Sequence, residues 1–339
     1  MCSSMKKHIL ITGGTGFIGS HAVIAFEQAG YSTVVVDNLC NSSTDVLEGI
    51  KKILWYKPDF YEGDLRDTAF LAWVFWQYSF DGVIHFAALK AVGESCEKPL
   101  EYMDNNVGGT IQLAKTMQQF GVQKIIFSSS CTVYGSQTPP IVETMSIGNT
   151  SNPYGSSKVL CEYILKDMAE FGGMQVISLR YFNPIGAHPS GYIGEKVSWR
   201  PNNIFPYILK VLAGELSELQ VFGNDYNTPD GTGVRDYIDI VDLVWWHIAA
   251  YRHLEKQKLG FWDTYNLGTG KGVSVLELIK AVESVSGKNI PYAITSRRPW
   301  DIDAVWAGCD KAKSILGWEA TTSIDESIHN ALLFVQQSQ

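Results

Sequence analysis

The chain has 339 residues, of which 45% are hydrophobic and 18% are charged, and its 27 Lys and Arg against 35 Asp and Glu give a formal net charge of -8. A chain about two domains long with this many apolar residues can fill a large core, which excludes an intrinsically disordered protein and a disulfide-dependent scaffold. The acidic balance argues against a nucleic-acid-binding protein, because such proteins need a basic surface.

The N-terminal segment predicts a strand, a helix and a second strand. Residues 8–12 are mostly apolar and are followed by glycines, which is typical of a strand buried on both faces. We predict a helix over 17–29 and a second strand over 33–36 that ends at Asp37. Two short strands joined by a helix are the βαβ unit of a parallel sheet.

This alternation continues along the first half of the chain. We predict further strands over 82–86, 124–127 and 176–179 and helices over 106–119 and 154–171. Because strands that alternate with helices form a parallel sheet covered on both faces, the predicted fold class is α/β with a Rossmann-type doubly wound sheet.

After about residue 183 the sequence becomes rich in turns, as over 183–191 and 224–233. We therefore expect a smaller C-terminal lobe, from which segments 236–238 and 265–267 return to the main sheet. Ligands of doubly wound sheets bind beyond the carboxyl ends of the strands, so the binding cleft is expected between the lobes.

Three glycines mark the turn between the first strand and the first helix. Gly13, Gly16 and Gly19 allow a tight turn, close approach of a pyrophosphate and close packing of the helix on the sheet, while the helix N-terminus faces the anion. Asp37 is placed to bind an adenosine ribose. Its charge would repel a 2′-phosphate, which favours NAD over NADP.

Tyr154 and Lys158 form a Tyr-x-x-x-Lys pair on a predicted helix, where residues four apart share a face. The phenol has an ordinary pKa of about 10, which a neighbouring ammonium group and a positive nicotinamide ring would lower. Ser130 ends a strand and is placed to donate a hydrogen bond to the reacting oxygen, although capping a turn is the common alternative for serine. Together with the glycine turn, these residues indicate hydride chemistry.

Longer motifs resemble the UDP-glucose 4-epimerase family of the extended short-chain dehydrogenase/reductase superfamily. The resemblance runs from about residue 7 to about residue 330. It implies reversible inversion at carbon 4 of UDP-galactose and UDP-glucose, in galactose metabolism, through a 4-keto sugar and an NAD that is regenerated in every turnover. The most specific segments are 37–42, 89–95, 181–191, 222–226 and 230–237.

The resemblance implies that Ser130 and Tyr154 are catalytic, and that Lys158 lowers the pKa of Tyr154 and holds the nicotinamide ribose. The adenine is expected beside Asp64 and Leu65. The full set of residues implied to bind NAD is Gly13, Gly16, Phe17, Ile18, Gly19, Asp37, Asn38, Asn41, Ser42, Asp64, Leu65, Phe86, Ala87, Ala88, Lys90, Asn105, Ser128, Tyr154, Lys158 and Tyr181.

Arg235 and Arg298 are the candidate diphosphate clamps, because a guanidinium group pairs bidentately with phosphate oxygens. By resemblance, Asp301 binds the uridine ribose. The full set of residues implied to bind the UDP-sugar is Lys90, Ser130, Tyr154, Phe182, Asn183, Asn202, Asn203, Ile204, Gln220, Val221, Phe222, Arg235, Tyr237, Val275, Arg298, Asp301 and Val305.

We predict an NAD-binding Rossmann domain of residues 1–183 with the returning segments of about 236–270. The predicted UDP-sugar-binding domain comprises 184–235 and 271–339.

The chain departs from the family pattern at three positions. Trp300 stands where a glycine is expected, beside Arg298 and Asp301, and Asp239 stands where a histidine is common, a change that the sequence does not explain. Val305 stands where family members carry either a bulky tyrosine or a small residue. We predict that this small side chain admits UDP-N-acetylglucosamine and UDP-N-acetylgalactosamine as well.

Two kinds of alternative remain. Another nucleotide-sugar epimerase, dehydratase or decarboxylase of the superfamily would share the fold, but a dehydratase needs an acid–base pair where this chain has Cys131 and Thr132. A non-catalytic NAD-sensing protein would commonly lose Tyr154 or Lys158, and both are present.

The six cysteines form no CxxC pair, so no metal site is predicted. The first residues lack the apolar stretch of a signal peptide, and the longest apolar runs are shorter than the ~20 residues of a membrane span. We expect a cytoplasmic protein with no membrane or nucleic-acid partner. The resemblance implies a homodimer through helices around 101–119 and 154–170.

Overall fold

The computed structural model describes residues 6–196, 201, 203–298 and 301–338. Asn202 and Trp300 lie outside the described residues. The strands are β1 His8–Thr12, β2 Ser32–Asp37, β3 Asp59–Glu62, β4 Phe80–His85, β5 Lys124–Ser130, β6 Gln175–Tyr181, β7 Asn183–Ile185, β8 Leu219–Phe222, β9 Val234–Arg235, β10 Tyr237–Asp239, β11 Trp262–Leu267, β12 Val273–Ser274, β13 Tyr292–Thr295 and β14 Ala304–Val305.

The helices fall between these strands. They are α1 Phe17–Gln28, α2 Asp45–Leu54, α3 Thr68–Gln77, α4 Val92–Glu97, α5 Pro99–Tyr102, α6 Gly109–Gln119, α7 Pro153–Glu170, α8 Ile204–Leu212, α9 Ile240–Leu254, α10 Val275–Ser286, α11 Asp310–Leu316 and α12 Ile324–Ser338. A π-helical turn, Met103–Gly108, precedes α6, and a 3₁₀-helix, Cys131–Tyr134, follows β5.

Seven parallel strands form the central sheet in the order β11-β6-β5-β4-β1-β2-β3. The strand order reverses between β1 and β4, which is the switch point of a doubly wound sheet. The predicted α/β class with a Rossmann-type sheet is therefore confirmed.

Apolar strands with helices on both faces explain this sheet. On one face, residues such as Ile11 and Ile177 pack against α1 and α9 around Trp246. On the other face, Phe127 packs with Leu165 of α7 and with α3 and α6. These two cores hold the carboxyl ends of the strands at one edge, where the predicted site residues meet.

A third core lies in the C-terminal part of the chain and includes Phe205, Leu219, Leu278 and Phe334. It is covered by α8, α10 and α12 and by small sheets with the orders β10-β7, β12-β9-β14 and β13-β8. These short strands position the loops of a second pocket.

One predicted return to the main sheet is confirmed and one is wrong. Tyr265 lies in β11, which pairs with β6 in parallel. By contrast, Tyr237 lies in β10, which pairs with Asn183 of β7 in a separate two-stranded sheet. The physical reason is that β11 already occupies the free edge of β6.

No helix in the described ranges is both long enough and apolar enough to cross a lipid bilayer.

Candidate active site

The turn between β1 and α1 has the geometry that the three glycines predict. Gly13 has φ +71°, and a Cβ there would lie 2.6 Å from the backbone N of Ala87. A Cβ at Gly19 would overlap the Gly13 carbonyl. Gly16 is the N-cap of α1, and no side chain caps this helix end. The backbone N–H groups at the start of α1 are thus available to an anion that a bulkier turn would exclude.

Asp37 ends β2 beside this turn and is buried, with only 8% of its surface exposed. Its carboxylate accepts hydrogen bonds from the backbone N of Thr15 at 3.1 Å and of Leu39 at 2.9 Å. Ser42 donates to the same carboxylate at 3.3 Å. These bonds fix the carboxylate at the sheet edge, where it can accept from a ribose.

The other residues predicted for the cofactor lie on several strands, helices and loops. The structure brings Asn38 to Asp64, with 3.1 Å between the amide nitrogen and the carboxylate. Phe86, Ala87 and Ala88 follow β4 directly, and Leu65 lies in the loop between β3 and α3. Asn105 is in the π-helical turn and Ser128 in β5, while Phe17 and Ile18 open α1 and Asn41 is exposed before α2.

Three of the predicted cofactor residues have other partners in this structure. Lys90 is exposed, and its ammonium group donates to Glu195 at 2.9 Å. Tyr181 is buried, and its hydroxyl lies 2.5 Å from Nε2 of His247. Asn105 donates its side-chain amide to Asn106 at 3.0 Å.

Ser130, Tyr154 and Lys158 come together at the carboxyl end of β5. Lys158 is buried on α7, donates to the backbone carbonyl of Ser128 at 2.7 Å, and has its Nζ 5.8 Å from the centre of the Tyr154 ring. Ser130 lies near the Tyr154 phenol, and its hydroxyl favours the phenolate. Ser130 also caps the 3₁₀-helix by accepting from the backbone N of Thr132, so the capping interpretation is confirmed, while donation to a reacting oxygen stays a prediction.

Desolvation opposes charge on both members of the pair. It raises the pKa of Tyr154 to about 12, although the Ser130 side chain acts to lower that pKa, and it lowers the pKa of Lys158 to about 8. The protein alone therefore keeps the phenol protonated at neutral pH. A positive ligand charge beside it would be needed to release that proton.

A second pocket opens between β8, β9 and the segment that follows β13. It contains eleven of the residues predicted for the UDP-sugar. Its lining consists of Asn183, Asn203, Ile204, Gln220, Val221, Phe222, Tyr226, Gly233, Arg235, Tyr237, Val275, Arg298 and Asp301.

Cationic and aromatic groups alternate in this pocket. Arg235 forms an ion pair with Asp301, and the Arg298 guanidinium lies 4.2 Å from the centre of the Phe222 ring. Tyr226, which sequence reasoning did not select, donates to Asp301 at 3.0 Å. Its position in the motif 222–226 is the signal that could have found it. Planar faces and guanidinium groups suit a base and a diphosphate.

Tyr237 carries an unsatisfied hydroxyl. The side chain is buried and lines the pocket, yet within the described part of the chain its oxygen has no hydrogen-bond partner. Because buried polar groups are normally paired, this hydroxyl fits a ligand that supplies the partner.

Val305 connects the two sites. It pairs in register with Arg235 and is buried in a cluster with Phe182 and Val159, the residue after Lys158. The predicted sugar-contacting position therefore lies between the diphosphate-type pocket and the Tyr154 helix.

Asp236, between Arg235 and Tyr237, is fully buried and anchors several backbones. Its carboxylate accepts from the backbone N of Thr269 at 2.8 Å, of Gly270 at 3.1 Å and of Ala307 at 3.0 Å. The loop after β11 and the end of β14 are thus tied to the strand that carries Arg235.

The structure explains Asp239, which the sequence left uninterpreted. Its carboxylate caps α9 by accepting from the backbone N of Val241 at 2.7 Å, and it accepts from the Ser327 hydroxyl at 2.7 Å. Burial raises the pKa of Asp239 to about 6.

Comparison with known proteins gives consistent results. A family model described as GDP-mannose 4,6 dehydratase matches residues 10–331. The chain is 50% identical over 325 residues to the UDP-glucose 4-epimerase of Yersinia enterocolitica, across 95% of this chain and 96% of that protein. The structure of UDP-glucose 4-epimerase from Bifidobacterium longum in complex with NAD⁺ and UDP superimposes with a TM-score of 0.94 at 49% identity, across 98% of both chains. That of the UDP-Glc/GlcNAc 4-epimerase from Campylobacter jejuni gives 0.83 at 33% identity, across 98% of this chain and 100% of that one.

Proposed function

We infer, because the chain belongs to the UDP-glucose 4-epimerase family, that it is an isomerase that interconverts UDP-galactose and UDP-glucose by inverting carbon 4 of the sugar. The observation that carries this function is the full-length match, at 50% identity, to an epimerase. It is supported by the half-buried Tyr154 beside the buried Lys158, which fit an acid–base role, and by the arginine-lined pocket, which fits a nucleotide.

The cofactor is NAD, which when bound supplies the acceptor and donor for the hydride of carbon 4 and a positive ring charge. The residues present fit it. The uncapped start of α1 offers N–H groups to the pyrophosphate, the turn has no room for a Cβ at Gly13, and Asp37 offers a carboxylate to the ribose.

We propose that Tyr154 takes the proton of the 4-hydroxyl group and returns it to the same oxygen after the 4-keto sugar has turned to present the other face of carbon 4 to the hydride. Ser130 donates a hydrogen bond to the same oxygen, and Lys158 contributes the charge that favours phenolate. Asn183, Asn203, Tyr237 and the two arginines of the pocket hold the nucleotide, so that the sugar can turn without leaving.

The dehydratase alternative lacks its acid–base pair. Cys131 follows Ser130, and desolvation raises the pKa of its thiol to about 12, so it stays protonated and unfit as a base. Product analysis of the purified protein with UDP-galactose separates the possibilities. An epimerase forms UDP-glucose without added cofactor and without net reduction, a dehydratase forms a deoxy-keto sugar, and a sensor forms no product.

The route through oxidation and return is tested in heavy water. Because hydride is recycled between carbon 4 and the cofactor, the product should carry no deuterium at carbon 4. Substantial incorporation at that carbon would contradict this route.

We propose that UDP-N-acetylglucosamine and UDP-N-acetylgalactosamine are also substrates. Val305 is a small side chain between the nucleotide pocket and the Tyr154 helix, and a relative of similar fold is named as a Glc/GlcNAc epimerase. Replacing Val305 with tyrosine should abolish turnover of the N-acetyl pair and retain that of the plain pair. Unchanged N-acetyl turnover would reject the proposal.

The two-domain division is proposed as well, with residues 1–183 and about 236–270 binding NAD and residues 184–235 and 271–339 binding the UDP-sugar. The main sheet and the separate third core support it. Limited proteolysis should release fragments at these boundaries.

We also propose a homodimer. Leu100 of α5 and Leu160 and Tyr163 of α7 expose 82%, 43% and 49% of their surfaces, and α5 packs beside α7. This apolar face fits a second copy of the chain. Sedimentation should give a dimer, and Leu160→Glu should give a monomer; a monomeric parent would refute it.

A further inference from the structure

A buried ion pair lies one helical turn beyond Lys158. Glu162 is on α7 and Arg180 on β6, with side-chain exposures of 1% and 3%. Arg180 donates from Nε to one carboxylate oxygen of Glu162 at 2.9 Å and from Nη2 to the other at 2.6 Å. A bidentate pair of this kind fixes direction as well as distance.

The pair belongs to a polar row that crosses three strands. Ser129 of β5 and Asn266 of β11 both pair in register with Arg180. Ser129 donates to Glu162 at 2.5 Å, while Arg180 donates to the Tyr134 hydroxyl at 2.7 Å, which in turn donates to Asn266 at 2.7 Å. The network therefore ties α7 to three strands and to the 3₁₀-helix after β5.

The bond from Ser129 to Glu162 is flanked by the contacts of the reacting pair. Ser128 accepts from Lys158 through its backbone carbonyl at 2.7 Å, and Ser130 lies near the Tyr154 phenol. Three consecutive residues of β5 thus face three residues of α7 that are four apart. Any shift of α7 that breaks the ion pair also displaces the phenol.

We propose that Glu162 and Arg180 are positioning residues of the epimerase reaction, which fix the height of Tyr154 above the sheet and balance the charge beside Lys158. The inference deepens the proposed function and rests on it. Neither residue needs to touch the substrate, because each acts through α7.

The charge balance follows from the groups that face Lys158. Tyr154, Cys161 and Glu162 face it from α7, Arg180 lies beyond them on β6, and His85 faces it from β4. Burial lowers the pKa of His85 to about 3, so this ring is neutral.

Glu162 and Arg180 together are neutral as well. Removing the carboxylate alone leaves the guanidinium charge uncompensated, so Lys158 would lose its proton at lower pH.

The test compares three variants in the holoenzyme with UDP-galactose as substrate. Glu162→Gln should lower kcat by about 10- to 100-fold, as expected for a displaced reacting group. It should also move the pH profile of kcat to lower pH by about one pH unit. Arg180→Lys keeps the positive charge but loses the bidentate hydrogen bonds to Glu162, so it should lower kcat without moving the pH profile. Glu162→Gln combined with Arg180→Gln removes both charges and should restore the profile.

A matched control separates positioning from simple destabilisation. Glu27→Gln removes another buried carboxylate, which accepts from the Thr33 backbone at 2.6 Å on α1, and should lower the melting temperature without moving the pH profile. Ultraviolet titration of the phenolate, with Tyr154→Phe as the blank, gives a readout that is independent of turnover.

The outcomes are distinct. A parent enzyme without epimerase activity would refute the proposed function itself. Two results with an active parent would overturn the positioning role. In the first, the Glu162→Gln and Arg180→Lys variants both keep kcat within twofold. In the second, Glu162→Gln loses activity while its pH profile and its phenolate titration do not move.

Discussion

Replacing Lys158 by methionine removes the positive charge beside Tyr154 while keeping a side chain of similar length. The ammonium group lies 5.8 Å from the centre of the Tyr154 ring. At that separation and an effective dielectric constant of about 20, the attraction to a phenolate is about 3 kcal/mol. This corresponds to about two pKa units of the phenol, or roughly a hundredfold less phenolate at a given pH. We therefore expect Lys158→Met to lower kcat by about 100-fold, with the acid limb of the pH profile moved up by about two pH units.

The assay follows UDP-galactose conversion to UDP-glucose between about pH 6 and pH 10, with bound NAD measured in each preparation, because Lys158 is also proposed to hold the cofactor. Lys158→Arg keeps the charge and should retain the position of the acid limb. Lys166→Met, on the same helix but exposed and 5.0 Å from the Trp262 ring, is the matched control and should behave as the parent. An unmoved acid limb in Lys158→Met would refute the electrostatic reasoning.

Three further predictions follow from buried or strained positions. The folded-state pKa of Asp239, about 6, lies above the ordinary value, so the contribution of this group to stability is present below pH ~4 and is lost as the pH rises through 6. Asp239→Asn should remove this pH dependence, which amounts to up to about 3 kcal/mol in the free energy of unfolding. Unfolding titrations at about pH 4.5 and pH 8 measure it. Tyr237→Phe should raise KM for the UDP-sugar while leaving the melting temperature within about 2 °C, since the hydroxyl lacks a described protein partner; an unchanged KM would contradict its role. Gly13→Ala should lower the free energy of unfolding by about 1–3 kcal/mol and reduce the amount of bound NAD. Gly30→Ala, at φ +95° with open space around it, should keep its NAD. Equal NAD content in both variants would contradict the proposal that the turn at Gly13 binds NAD.

The sheet could be predicted from the sequence because its strands are buried on both faces. Residues 8–12 and 176–179 are almost continuously apolar, so local composition predicts strands that are buried on both faces. The alternation of such strands with helices in turn predicts a parallel sheet. Which strands pair with each other cannot be predicted from the local sequence. The placement of Tyr237 in a separate sheet depended on β11 having taken the edge of β6, and no pattern in residues 236–238 carries that information.

The parts of the candidate site that lie in contiguous motifs could be recognised in the sequence, and the parts that depend on distant contacts could not. Glycine turns and the Tyr-x-x-x-Lys pair need only spacing, and the nucleotide pocket followed from resemblance. Tyr226 was missed because its contact with Asp301 joins residues far apart in sequence. The π-helical turn Met103–Gly108, which lies partly inside the predicted helix 106–119, was missed because it keeps the apolar periodicity of an α-helix.

The anchoring of two backbone segments by the Asp236 carboxylate has a mechanical consequence. Asp236 directly follows β9, and its carboxylate accepts from the backbone N–H groups of Thr269, in the loop after β11, and of Ala307, just after β14. Since Val305 also pairs in register with Arg235, these two residues are held in a fixed relative position. A larger side chain at residue 305 would therefore press on Arg235, the residue proposed to bind the diphosphate. Enlarging or shrinking residue 305 should therefore alter affinity for free UDP, a compound that has no sugar to collide with.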